Sequence, residues 1–204
     1  MITTTCPQPT YIGSVVTSLY PCPVEFGQIQ KMIFWRRGTK LTIASVTQST
    51  YWTTKLIATG NSKAVVTPFL IGKITAGAPR ETGGTNDTKD GIPVVIGGLP
   101  SKAEFKAIQY SQTTIKALKK LMGETLDVVF INENGQFAYC GTQFNGTTAG
   151  FYGFPLAALF VGDFSLGQYD DKDENAVSFQ MPSNWSDNMA ITAATPFALT
   201  LINS

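Results

Sequence analysis

Among its 204 residues the chain has no histidine. That removes the most common general base, the usual zinc ligand and the side chain whose charge changes near neutral pH. Ser-His-Asp and Cys-His mechanisms are excluded. Charge is scarce too: Asp, Glu, Lys and Arg make up 14%, against about a quarter in an average globular protein, and they nearly cancel to a formal +1. With no strong basic field, the chain has little to hold nucleic acid or an anionic membrane by counterion release. Cysteine is limited to Cys6, Cys22 and Cys140, an odd count with no CxxC spacing, so neither a disulfide framework nor a zinc ribbon is indicated. Cys6 and Cys22, each beside proline, could pair in an oxidising compartment, but buried thiols fit better. No apolar run approaches the length of a membrane span, and the opening "MITTTCPQPT" lacks the basic and apolar regions of an export signal. A soluble protein made in the cytoplasm is expected.

What the chain does have is Thr, Ser, Asn, Gln and Gly, the composition of a surface packed against neutral neighbours. Pro7, Pro9, Pro21 and Pro23 divide residues 1–28 into an extended arm, with room for one short strand at "YIGSVVTSLY". Residues 29–204 read as one β-rich domain. "KMIFW" and "KLTIASVT" are strand-like runs separated by the turn "RRGTK", and Pro68 in "SKAVVTPFLIGKITAG" marks an edge or bulge. Ala78 to Pro100, rich in glycine and proline, reads as a long loop ordered by a neighbouring subunit; it has neither GxxxxGK[ST] nor GxGxxG spacing. One helix is expected in "SQTTIKALKKLMGE", capped by Ser111 and stopped at Gly123, with Ile115, Leu118, Leu121 and Met122 on its apolar face. "LDVVFINENGQFAYC" predicts a hairpin turning at Gly135, and Phe179 and Met181 alternate with Ser178 and Gln180 as in a half-buried strand. The fold class is mainly β, a sandwich or barrel with one flanking α-helix.

No motif supplies chemistry. The acidic run Asp170, Asp171, Asp173 and Glu174 fails as a calcium loop, because counting from Asp171 puts Ala176 and Pro182 where Gly and Glu are required. It reads as a solvated turn, or a patch facing a neighbour's lysines. "GDFSLG" lacks the spacing of a nucleophile elbow. The N-x-S/T sites at Asn86, Asn145 and Asn184 are what an Asn- and Thr-rich chain produces by chance. Trp35, Trp52 and Trp185 could form a sugar-stacking platform, although packing is the commoner use of Trp.

A strand-rich first half, the loop with "TKDGIP", the helix "TTIKALKKLMG", the hairpin "LDVVFINENGQF" and the closing "DENAVSFQMPSNWSDNM" follow one another from Gln28 to Ile202. In this layout the chain resembles virion structural proteins of tailed bacteriophages, in particular those infecting Bacteroidetes, including the crAss-like group. The resemblance implies a tail-tube-like β-sandwich with a flanking helix, set in homo-oligomeric rings of the tail or of the neck below the portal. It also implies partners among tail, neck and portal proteins, DNA only as passing cargo, no membrane, a location in the virion, and no enzymatic activity. No catalytic residue, cofactor or metal is expected. Arg80, Asp87, Asp90, Asp170, Asp171, Asp173 and Glu174 are the candidate subunit contacts. Capsid decoration or attachment to a head fibre is the nearest alternative; a carbohydrate-binding module and a hydrolase run by carboxylates are more distant ones.

Overall fold

The computed structural model describes residues 26–39, 41, 48–84, 91–108, 110–165 and 174–192. Its elements run in the order β1 (Ile29–Arg36), α1 (Ser49–Ile57), β2 (Val65–Val66), β3 (Leu70–Thr75), β4 (Pro79–Thr82), β5 (Val94–Gly98), β6 (Ser101–Ala107), α2 (Gln112–Lys119) and β7 (Leu126–Asn132). There follow β8 (Phe137–Thr142), β9 (Ala149–Tyr152), β10 (Phe154–Pro155), β11 (Ala157–Ser165), β12 (Glu174–Met181) and β13 (Met189–Ile191). The larger sheet has the path β13-β8-β7-β1-β2, with β9 and β10 pairing on β8 and β7; the smaller is β11-β12-β6-β3. All the pairings are antiparallel.

The two sheets close on a common core, so the fold is a β-sandwich. Met32, Phe34, Val128 and Phe130 meet Phe105, Val177, Phe179 and Met181 between them. Phe34 stands edge-on to Phe179 at 6.3 Å, and Trp185, half-buried, caps this layer 5.0 Å from Phe154 while its indole N–H donates to Ser101. The smaller sheet has one wet face: β6 alternates buried Ala103, Phe105 and Ala107 with exposed Lys102, Glu104 and Lys106. The central strands of the larger sheet do not alternate in this way, because their other face is covered as well. Ile33, Trp35, Val129 and Ile131 point into a second core with Phe137, Phe151 and Trp52 of α1. Every residue of β7 is therefore buried, with the apolar run Val128 to Ile131 between the buried polar Asp127 and Asn132.

The expected single helix is α2, and Ser111 caps it: its hydroxyl accepts from the Thr114 N–H, while Ile115 and Leu118 enter the inter-sheet core. Ser111→Ala should cost about 1 kcal/mol, the usual worth of such a cap, read as a small fall in the urea midpoint with an unchanged slope. The turn at Gly135, φ 74°, and the alternation of β12 are also as expected. Two expectations are corrected. A second helix, α1, covers the outer face of the larger sheet, because burying Trp52 outweighs the poor helix propensity of "STYWTT". Ala78 to Pro100 is no plain loop, since it contains β4 and β5, paired from Pro79–Gly98 to Thr82–Val94. The N-terminal arm up to residue 25 lies outside the described residues, as does "KLTIASVT" apart from Leu41, which bridges to Phe151.

Candidate assembly surface

β4 and β5 extend the ladder of β3 and β6. The pairing that reaches Thr75–Lys102 resumes at Pro79–Gly98, and between them the Leu99 N–H donates to the Ala78 carbonyl at 2.9 Å. Gly77 makes the junction possible, since a Cβ there would lie 1.8 Å from the Leu99 carbonyl oxygen. Together the four strands form one long hairpin whose outer half leaves the sandwich. On that outer ribbon every residue of both strands is exposed, including Val94, Val95 and Ile96 at 53%, 60% and 54%; Ile92 and Leu99 flank them, also exposed. A lone two-stranded ribbon is at best marginally stable in water, and clustered exposed aliphatic side chains mark contact surfaces.

A groove of about 440 Å³ opens where the two sheets meet, beside the root of this ribbon. Pro100 of the root lines it, with Phe144, Tyr152, Leu156 and Met181 as apolar walls. Among the described residues its one charged pair is Arg37 with Asp127. Asp127, with its side chain only 6% exposed, accepts from the Gly38 N–H at 3.0 Å and from Arg37 Nε at 3.2 Å. Burial pushes its carboxyl above the ordinary aspartate range, and the bonds from Gly38 and Arg37 and the Arg37 charge pull it only partly back. Arg37 also donates through Nη2 to the carbonyls of Leu156, at 2.6 Å, and Leu126, at 3.4 Å. The turn after β1 is thus pinned to β7 and to the chain entering β11. Sequence reasoning missed this pair, whose members lie 90 residues apart with no local signal joining them.

Of the sequence-predicted contacts, Arg80 is exposed on β4 of the ribbon. Glu174 opens β12 and pairs with Lys106 at 2.7 Å across the smaller sheet. Asp87, Asp90, Asp170, Asp171 and Asp173 lie outside the described residues. Trp35 and Trp52 are buried, at 4% and 0%, which removes two of the three rings of a sugar platform. Among the described residues no cluster of Cys, Asp and Glu could hold a metal ion, and no helix is long and apolar enough to cross a membrane.

No protein-family profile and no curated protein matches the chain. Solved structures do. Among them is a chain from the tail of an empty GTA particle with C6 symmetry, similar at a TM-score of 0.35 and 10% identity, over 61% of this chain and 80% of that one. A likeness of this size carries no argument about the assembly or role of this chain.

Proposed function

We propose that the chain is a structural protein of a phage-tail-like particle, a non-enzymatic subunit whose copies join into rings of the tail or neck and leave a conduit for DNA. The observation that carries this reading is the aliphatic β4–β5 ribbon, which stands off a sandwich that already has two filled cores. Such a ribbon gains from being covered by another chain, and a surface used on one neighbour but not duplicated on the other builds rings or filaments. The near-zero net charge suits a conduit, where each phosphate contact would retard the passing polyanion. The placement among Bacteroidetes phages of crAss-like type rests on the sequence layout, and the choice of ring over capsid decoration on that layout and the ribbon.

Light scattering over a concentration series, followed by negative-stain imaging, tests the reading. Rings or stacked tubes are expected as concentration rises. Strictly monomeric particles at every concentration would sink it.

A further inference from the structure

Resting on that reading, we propose that the groove between the sheets is the receptor for the β4–β5 ribbon of a second copy of this chain. Knob and hole are complementary in two respects. The ribbon offers Val95 and Ile96, which the register shift between Arg80 and Glu81 sets together across from Glu81, and the groove offers Phe144 with the edges of Tyr152 and Leu156 in a volume large enough for several aliphatic side chains. The charges match as well. Glu81 sits directly across from Val95 in the ribbon and forms no ion pair among the described residues. At the groove, Arg37 spends Nε on Asp127 and Nη2 on two carbonyls, which leaves Nη1 for a further carboxylate, and its side chain is 43% exposed. Among the described residues Asp127 and Arg37 are the only charged groups lining the groove, and Asp127 is already held by two donors. Arg80, next to Glu81 in β4, alternates to the opposite face of the ribbon and so does not meet Arg37.

A chain cannot satisfy both halves by itself. Val95 and Ile96 lie several residues beyond Pro100, on a ladder that at about 3.3 Å per residue carries them away from their own groove. Their exposure shows that they do not fold back into it. The contact therefore runs from one copy to the next, head to tail, with each copy giving a ribbon and receiving one. Such a contact closes into a ring or continues as a filament.

The test uses the full chain and two variants that leave both cores intact. Val95→Asp with Ile96→Asp disables the ribbon. Ala157→Trp, at an exposed position on the groove wall, fills the hole. Each variant alone should self-associate about 100-fold more weakly than the parent, about tenfold for each of the two aliphatic side chains that is replaced in the one variant and kept out of the filled groove in the other, with far-UV circular dichroism and melting unchanged. Mixed one to one they should give dimers and nothing larger, since one intact ribbon and one intact groove remain between them. If the parent assembles and either variant assembles as well as it does, or the mixture yields no dimer, the ribbon–groove contact is wrong while the structural reading stands. If the parent never assembles, both fall.

Discussion

Trp52→Ala should lower the stability of the protein by about 3–5 kcal/mol, the range for removing a large buried aromatic side chain. Trp52 is fully buried, stacks on Phe137 at 5.6 Å and lies 6.3 Å from Trp35. It is the only buried residue of α1, so the helix has no other side chain fully seated on the sheet. Its loss leaves a cavity under a segment whose Thr-rich sequence gives little helix of its own. Urea unfolding followed by fluorescence and by far-UV circular dichroism should show a large fall in midpoint, with helix signal lost before the sheet. A cost below about 1 kcal/mol would mean that the second core is held by something other than this ring.

Arg37→Met comes next, at about 2 kcal/mol near neutral pH. Removing one partner of a fully buried ion pair costs about 3–5 kcal/mol, and the figure is reduced here because Arg37 is 43% exposed. The substitution keeps the length of the side chain but leaves the buried Asp127 carboxylate with the Gly38 N–H alone. The sign of the pH dependence follows from the raised pKa. A carboxyl whose pKa is higher folded than unfolded contributes most below its unfolded value, about 3.9, and that contribution is lost as pH rises through the folded value. Without Arg37 the carboxyl rises further, so the deficit against the parent should be largest near and above neutral pH and shrink as the pH falls and Asp127 takes up a proton and needs no cation. Urea midpoints of the two proteins across that pH range check it. A deficit that stays constant with pH would show that Arg37 acts through its carbonyl bonds to Leu126 and Leu156 instead.

Elements with a local cause were legible in the sequence. Ser111 and its cap, Gly135 and its turn, and the alternation from Asn175 to Met181 each depend on neighbours a few residues away. The sandwich with a flanking helix followed from them. Where a distant partner decides, the sequence was silent or misleading. α1 exists because Trp52 finds Phe137 and Trp35, and "STYWTT" by itself does not favour a helix. The β4–β5 ribbon was hidden by the glycines and prolines around it, although "VVI" carried the strand propensity. The groove could not be anticipated at all. Its walls come from the turn after β1, the root of the ribbon, the residues following β8 and the ends of β11 and β12, segments that meet only when the sandwich closes.

The central pairing of β1 with β7 also fixes an order of events during synthesis. β1 leaves the ribosome about 90 residues before the strand that flanks it, and until β7 arrives neither core can close. The hairpin that carries Val94, Val95 and Ile96 lies between them in the chain, so its adhesive strip is made before there is a folded body to present it. Through that interval Val94, Val95 and Ile96 sit on a chain that cannot yet fold, the state in which exposed apolar strands of neighbouring copies clump.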